Sequence, residues 1–241
     1  MKCIREKFNR WLDYLYPRTC PVCTKVLAPG RRLVCEECQS KLVYVKNPRC
    51  KKCGKPVENG VKEFCGDCNR KKHYYNSGRV VWVYTKEMRQ SIYRFKYDNK
   101  REYADFYVTE LVRLYGGWIK RLDVDAIIPV PLHKSKYRKR GFNQAQVLAE
   151  AIGRQLEIPV LSDILVRNKN TTAQKNLNDK QRQENVKNAF KIINNEVQLK
   201  KILLVDDIYT TGSTIDAVAR ILKGDGVKEV YFICLCTSGV N

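Results

Sequence analysis

The fold is decided by the stretch Ile202-Leu-Leu-Val-Asp-Asp-Ile-Tyr-Thr-Thr-Gly-Ser-Thr214. Its four leading apolar residues predict a buried parallel strand that ends at an acid pair, Asp206 and Asp207. A turn follows, directly before a helix predicted from about Thr214 to Lys223. Free backbone amides and the helix dipole favour an anion at such a turn, so a phosphate is predicted there. The residues of this phosphate loop are Thr210, Thr211, Gly212, Ser213 and Thr214.

The acid pair needs a separate explanation, because two adjacent carboxylates repel a bare anion. A sugar phosphate provides one: ribose hydroxyls need hydrogen-bond acceptors, and Mg²⁺ moderates the combined charge. The chain contains no Gly-x-x-x-x-Gly-Lys-[Ser/Thr] sequence, which excludes a nucleotide-binding P-loop. The remaining alternative is an acidic helix cap without a ligand. We therefore predict a ribose-phosphate site.

Further apolar segments around this stretch indicate an α/β domain. Ala126–Val130 and Val230–Cys236 are predicted strands, Phe142–Glu157 is a predicted helix, and Pro159–Leu165 is predicted to return as a strand. Strands that alternate with helices favour a parallel sheet, whose ligands lie at the carboxyl ends of the strands. The polar stretch 167–187 is typical of a flexible loop that closes over a site.

The segment from Ile202 to Thr214 resembles the phosphoribosyl-pyrophosphate (PRPP) motif of type I phosphoribosyltransferases. The resemblance implies that the two acids are the catalytic pair and contact ribose, and that the loop binds the 5′-phosphate. The runs Ile127-Ile-Pro-Val-Pro-Leu-His133 and Arg140-Gly-Phe-Asn-Gln144 are similar to those of the ComF family of competence proteins. This second resemblance implies a PRPP-binding role for Leu132, His133 and Lys134, with magnesium accompanying PRPP.

The front of the chain carries a cysteine pattern typical of zinc ribbons. Eight of eleven cysteines form four Cys-x-x-Cys pairs, each of which begins fifteen residues after the last. Two such pairs complete a tetrahedral shell of four thiolates, which leaves no position for water and predicts two structural zinc ions. Sequential pairing is favoured, and an interleaved cross-brace stays open. An iron–sulfur cluster is the minor alternative to zinc. The predicted ligands are Cys20, Cys23, Cys35, Cys38, Cys50, Cys53, Cys65 and Cys68.

The formal net charge of +21 is concentrated towards the front of the chain. Residues 1–80 hold 19 basic and 7 acidic side chains, whereas residues 146–241 hold 13 and 11. An excess of this size favours a polyanionic partner such as nucleic acid, and solubility alone is the alternative. The cations that we predict to contact nucleic acid are Arg89, Lys96, Lys136, Arg138, Lys139 and Arg140.

Aromatic residues interleave with cations between Trp82 and Tyr97, a combination typical of single-strand binders. Met88, Ile92 and Phe95 also fall on one helical face, so core packing is the favoured interpretation of the aromatics. A basic face at Arg89, Tyr93 and Lys96 is left available for function.

The apolar residues between Ile4 and Leu15 recur at helical spacing and predict an amphipathic N-terminal helix. Packing on the protein is its favoured fate, and peripheral membrane contact is the alternative. No transmembrane segment or secretion signal is predicted, so the expected compartment is the cytoplasm. The expected divisions are this helix (1–19), the zinc-ribbon module (20–75) and the phosphoribosyltransferase-like domain (76–241).

Two functions remain open at this point. The resemblance to the ComF family implies a protein of natural transformation that handles single-stranded DNA, with a ComFA-like helicase as partner. The intact phosphate loop keeps a second hypothesis open, an active Mg-dependent phosphoribosyltransferase that uses PRPP and an unidentified acceptor base. Lys175 and Arg182 are the candidates for a charge stabiliser from the mobile loop.

Overall fold

A computed structural model describes residues 17–30, 32–58, 62–168, 189–193 and 198–239. The predicted amphipathic helix between Ile4 and Leu15 lies outside these residues. Most of the predicted mobile loop, with Lys175 and Arg182, lies outside them as well. The described helices are α1 Glu36–Lys41, α2 Gly66–Arg70, α3 Lys86–Tyr97, α4 Tyr103–Leu122, α5 Lys134–Arg140, α6 Gln144–Leu156 and α7 Ser213–Gly224. The strands are β1 Ser77–Val83, β2 Ala126–Pro129, β3 Leu165–Arg167, β4 Phe190–Ile192, β5 Lys201–Tyr209 and β6 Glu229–Thr237.

The main sheet is parallel throughout and has the strand order β1-β6-β5-β2. Its two central strands are the apolar runs around Leu204 and Phe232, whose side chains are fully buried. Burial on both faces is what a near-continuous apolar strand requires, and the helices supply the cover. The parallel α/β fold expected from the sequence is confirmed.

The predicted strand Pro159–Leu165 is wrong for most of its length. Only Val160 pairs with the sheet, through a single bridge to Ile127. Two backbone hydrogen bonds hold it there, from Ile127 N to the Pro159 carbonyl and from Leu161 N to the Ile127 carbonyl. The chain then bends at Asp163, and Leu165 begins the antiparallel pair β3-β4 instead. Apolar content alone did not reveal this bend.

The two Cys-rich segments pack on opposite faces of the main sheet. Cys20 and its neighbours join the buried cluster of α3, α4 and α6, which includes Trp82. Cys50 and Cys53 join the cluster on the other face, which includes Tyr209. The link between the two segments runs beside edge strand β1, where Val45 N donates to the Val81 carbonyl at 2.9 Å. The edge strand is thereby covered, which removes an exposed template for pairing with another chain.

The divisions at residues 19 and 75 stay predictions, because the ribbon segments share their hydrophobic clusters with the sheet. Within the part of the chain that the structure describes, no helix combines the length and the apolar character needed to cross a bilayer.

Candidate functional site

The acid pair lies where strand β5 outruns its neighbour. Pairing between β5 and β2 ends with Val205 opposite Pro129, while pairing with β6 continues to Tyr209. The segment from Asp206 onward therefore has an open edge on the β2 side, at the carboxyl end of the sheet. This is the position at which ligands of open parallel sheets bind. Both acids are partly buried there.

Two cations balance the acid pair. Lys96 Nζ lies 2.6 Å from Asp207 Oδ2, and both side chains are about 15% exposed, at 15% and 14%. Arg167, at the end of β3, interacts electrostatically with Asp206. Lys96 was predicted to contact nucleic acid from the face of α3. In the structure its ammonium group is engaged by Asp207, so it belongs to the acid-pair site.

Asp206 lies partly buried beside Asp207. Burial raises its pKa to about 7, and the adjacent charge of Asp207 acts in the same direction. The backbone N–H of Asp207, which donates to Asp206 Oδ1 at 2.8 Å, and the cations Lys96 and Arg167 oppose the rise. A carboxyl with a pKa near neutrality, set by burial and a charged neighbour, is characteristic of functional sites.

We expect the Asp206→Asn variant to flatten the pH dependence of folding stability. A folded-state pKa of about 7, above the ordinary value of 3.8, means that the folded protein binds the proton more tightly than the unfolded chain. The stability contributed by protonated Asp206 is therefore complete at low pH and is lost as pH rises through about 7. Between pH 6 and 8 the wild type should lose roughly 1 kcal/mol relative to the variant.

Urea denaturation of both proteins at the two pH values measures this difference. Parallel pH profiles for wild type and Asp206→Asn would contradict the assigned burial of Asp206.

The phosphate loop makes a tight turn into α7. Gly212 has φ of +76° and precedes the helix, in a left-handed conformation that favours glycine. A Cβ atom there would lie 2.5 Å from the Tyr209 hydroxyl, so a side chain does not fit. The hydroxyls of Thr211 and Ser213 are 2.8 Å apart, on either side of this glycine. The predicted helix start near Thr214 is confirmed to within a residue.

The segment predicted to bind PRPP, residues 132–134, follows strand β2. Leu132 precedes His133, which caps α5: its Nδ1 accepts from Ser135 N at 3.2 Å. His133 also forms a single parallel bridge with Arg167. That bridge brings the carboxyl ends of β2 and β3 together, next to the acid pair. Lys134 is the first residue of α5 and is exposed.

The cysteine pairs form two clusters of four sulfur atoms, within each of which all ligand atoms lie within 4.8 Å of one another. Sequential pairing is confirmed: Cys20 to Cys38 supply one cluster and Cys50 to Cys68 supply the other. The sulfurs of Cys23 and Cys35 are 3.7 Å apart, and those of Cys53 and Cys65 are 3.6 Å apart. Zn–S bonds of about 2.3 Å in a tetrahedron require sulfurs about 3.8 Å apart, so each cluster fits one zinc ion.

Both clusters are built by the same backbone turn. The residue after the second cysteine is left-handed in each case, with φ of +67° at Thr24 and +76° at Gly54. The N–H groups of these residues donate to the carbonyls of Cys20 and Cys50, each at 2.9 Å. The turn aims both sulfurs of a pair at one point. With four thiolates and no open position, the sites are structural.

The second ribbon supports the phosphate loop directly. Lys55 pairs with Asp67 at 3.0 Å, between two of the zinc ligands, and its ammonium lies 5.6 Å from the centre of the Tyr209 ring. The Tyr75 and Tyr209 hydroxyls are 2.7 Å apart. Tyr209 in turn packs under Gly212. The ribbon therefore braces the turn that was predicted to hold phosphate.

An exposed surface of tyrosines and cations lies on α3 and α5. Arg140 Nη2 donates to the Tyr97 hydroxyl at 3.0 Å, and its guanidinium lies 4.9 Å from the centre of that ring. The Tyr93 and Tyr97 rings are 4.8 Å apart. Exposure is 59% for Tyr93, 41% for Tyr97 and 50% for Tyr137. We call this the aromatic-basic surface, formed by Tyr93, Tyr97, Tyr137, Arg138, Lys139 and Arg140.

The aromatics between Trp82 and Tyr97 thus divide between two roles. Trp82 and Phe95 are fully buried, which confirms core packing for these two. Tyr93 and Tyr97 are solvent-facing, and Arg89 is exposed with its guanidinium 5.6 Å from the Tyr84 ring. Lys136, on the same helix as Arg140, is half-buried, and burial lowers its pKa.

Two protein-family models match this chain, one in its front part and one in its rear part. Residues 11–69 match the double zinc ribbon domain family, and residues 143–240 match the phosphoribosyl transferase domain family. Competence protein F of Haemophilus influenzae is 36% identical over 63% of this chain and 68% of its own length. The chain belongs to the competence protein F family. It is a member with paired zinc ribbons ahead of a phosphoribosyltransferase-type domain.

Other members of the competence protein F family and related proteins are also similar. Competence protein ComFC of Streptococcus pneumoniae is 32% identical over 64% of this chain and 65% of its own length. DNA utilization protein YhgH of Escherichia coli O157:H7 is 38% identical over 46% of this chain, which spans about half of that protein, 49%. A purine phosphoribosyltransferase from Pyrococcus horikoshii aligns over 55% of this chain and 71% of its own, at 18% identity and a TM-score of 0.33.

The sequence did not identify Arg167, which was assigned to the start of the polar loop. In this competence protein F family member Arg167 ends a short strand, lies 5.2 Å over the Phe190 ring and faces the charge of Asp206. The preceding apolar residues Leu165 and Val166 were the available signal, because they indicate a strand end rather than a loop start.

Proposed function

We propose that the chain binds single-stranded DNA on the aromatic-basic surface and binds a ribose 5-phosphate or PRPP group at the acid pair and phosphate loop. The observation that carries the proposal is the contact of Lys96 with Asp207. Lys96 lies on α3, the helix that also presents Tyr93 and Tyr97, so one element joins the DNA-binding surface to the acid pair.

The composition of the aromatic-basic surface supports single-stranded rather than duplex DNA. Every base has a face that can stack on an exposed tyrosine ring, whereas in a duplex those faces are covered by neighbouring bases. Cations beside the rings can follow the phosphate backbone, and α5 supplies Arg138, Lys139 and Arg140 in succession. Tyr93 and Tyr97 offer two adjacent rings. A short run of unpaired bases fits this arrangement.

The ribose-phosphate part of the proposal is supported by complementary chemistry on the two sides of β5's end. Asp206 and Asp207 offer carboxylate oxygens, which accept from ribose hydroxyls and are the ligand type that Mg²⁺ prefers. The amides after Gly212 open α7, a helix of twelve residues whose dipole favours phosphate. The ammonium group of Lys96 already lies beside Asp207, so a positive charge is accommodated there. The residues present therefore fit a magnesium ion that accompanies PRPP.

The names of the relatives support the biological setting of the proposal. Two are competence proteins and one is a DNA utilization protein. We propose that this chain acts in natural transformation, in the cytoplasm, beside a ComFA-like helicase. The proposal predicts that the tagged chain co-purifies with such a helicase from competent cells. Failure to co-purify would contradict the helicase partnership and leave the DNA-binding and ribose-phosphate parts of the proposal unchanged.

The test is binding of a fluorescent oligothymidylate across salt concentrations, from about 50 to 200 mM. We expect the Arg138→Ala/Lys139→Ala variant to bind more weakly, with a salt slope smaller by about 1.4, because two phosphate contacts to a single strand are removed at about 0.7 each. The Lys120→Ala/Lys228→Ala variant is the control, since it removes the same charge from exposed positions elsewhere. No binding by the wild type at the lowest salt would contradict the DNA-binding part of the proposal.

A second candidate function is transfer of the phosphoribosyl group to a base. The observation that favours it is the set of cations around the acid pair: Arg167 interacts electrostatically with Asp206, and Lys136 lies near Arg167 and Lys96, where a leaving pyrophosphate would need positive charge. Exchange of labelled pyrophosphate into PRPP, measured with each candidate base, tests it. Absence of exchange with every base, together with measurable PRPP binding, would leave a binding domain without transfer.

A further inference from the structure

A groove runs along one side of helix α7, away from the aromatic-basic surface. Its volume is about 290 Å³. The helical residues that line it recur every three or four positions, so the groove follows the helix axis for roughly 10 Å. Ser213 belongs both to this groove and to the phosphate loop, which makes the two continuous. The lining residues are Lys71, Lys72, Tyr74, Ser213, Asp216, Ala217 and Arg220.

The charge that this groove presents is positive. Lys71, Lys72 and Arg220 are three cations around a single acid, Asp216. The carboxylate of Asp216 is already engaged, since one oxygen accepts from Tyr74 N at 2.7 Å and the other lies 3.0 Å from His73 Nδ1. These contacts satisfy the acid from the ribbon side. Cations therefore outnumber acids in the lining of the groove, which gives it a net positive charge.

The groove also contains an aromatic ring. Tyr74 is 49% exposed, and its backbone N–H, not its ring, is what binds Asp216. An exposed ring between Lys72 and the helix repeats the combination found on the aromatic-basic surface: a face for stacking, with cations beside it for phosphates.

We infer that this groove binds the phosphodiester backbone of single-stranded DNA at the 3′ end of a strand, where the terminal nucleotide places its 5′-phosphate in the loop of residues 210–214 and has a free 3′-hydroxyl for the acid pair. The inference rests on the proposed function and extends it from a ribose-phosphate group to a continuous chain. A free sugar phosphate ends at its phosphate, and the loop alone would hold it. A strand must continue past that phosphate, and the positively charged groove begins at Ser213, where the continuation would emerge.

The dimensions of the groove favour one strand over a duplex or a membrane. A volume of about 290 Å³ admits a single backbone with a base on Tyr74. A duplex would instead have to bring two backbones that are at least about 6 Å apart, with its base faces covered. A lipid surface is flat and would contact the rim of the groove rather than its floor. Phosphatidylserine vesicles therefore serve as the contrasting ligand in the test.

The test uses the full chain, a labelled oligothymidylate and two kinds of variant. Lys71→Ala/Lys72→Ala should bind DNA several-fold more weakly, with a salt slope smaller by about 1 to 2. Tyr74→Ala should also bind several-fold more weakly but keep the wild-type salt slope, because it removes stacking and no charge. Lys120→Ala/Lys228→Ala is again the control for net charge, and thermal melting verifies that all variants are folded.

Equal DNA binding by Lys71→Ala/Lys72→Ala and by the control would overturn the inference and leave the proposed function intact. A loss of vesicle binding with unchanged DNA binding would also overturn it, and would assign the groove to a membrane. Failure of the wild type to bind DNA at all is a different result, since it contradicts the proposed function itself.

Discussion

Replacement of Cys50 by serine is expected to lower the thermal midpoint by at least roughly 10 °C. Cys50 is fully buried and belongs both to the second zinc cluster and to the hydrophobic cluster on the α7 face of the sheet. Structural zinc contributes roughly 10–16 kcal/mol of apparent binding energy to folding. Loss of even several kcal/mol shifts the midpoint strongly, because about 1 kcal/mol corresponds to 2–4 °C for a chain of this size.

The measurement combines melting with metal analysis. Wild type should carry two zinc ions per chain, one for each cluster, and Cys50→Ser should carry about one. Cys236→Ala is the matched control, because Cys236 is an equally buried cysteine outside both clusters. A control that loses as much zinc as Cys50→Ser, or a Cys50→Ser protein that keeps two ions, would refute the assignment of the second site.

The second large effect is expected from Gly212→Ala. The added methyl group would lie 2.5 Å from the Tyr209 hydroxyl, and the backbone at φ of +76° disfavours any side chain. The phosphate loop must shift to relieve the contact, so its amides should no longer converge on one anion. We expect PRPP binding in the presence of Mg²⁺ to weaken more than tenfold, about 1.4 kcal/mol.

Gly226→Ala separates the clash from the backbone effect. Gly226 also has positive φ, +103°, but a Cβ atom there meets nothing within 4 Å. This control should lose some stability and keep PRPP binding, as measured by isothermal titration calorimetry. Unchanged PRPP affinity in Gly212→Ala would show that the phosphate is bound elsewhere.

The features that were predicted correctly from the sequence each depend on residues within one continuous segment of the chain. The strand, acid pair, glycine turn and helix between Ile202 and Gly224 follow from apolar patterning and from the residues that a turn needs. The zinc ligands follow from regular spacing, and the structure confirms the favoured sequential pairing.

The features that it missed depend on contacts between distant parts of the chain. Nothing near Lys96 indicates that its ammonium group will face Asp207 rather than solvent. The electrostatic interaction of Arg167 with Asp206 is of the same kind. The placement of the two ribbons on opposite faces of the sheet is set by the shape of the assembled core. Helical periodicity identified Phe95 as buried, but it did not predict that Tyr93 and Tyr97 would lie side by side against Arg140.

The most direct test of the proposed function is photocrosslinking of an oligonucleotide that carries 5-iodouracil, followed by mass spectrometry of the crosslinked peptides. Iodouracil reacts with an aromatic ring stacked against it, so the crosslinked residue identifies the stacking surface. The proposed function predicts crosslinks at Tyr93, Tyr97 or Tyr137, with their yield reduced in the Arg138→Ala/Lys139→Ala variant. Crosslinks absent from α3 and α5 in a protein that binds the oligonucleotide would contradict the aromatic-basic surface as the site of DNA binding.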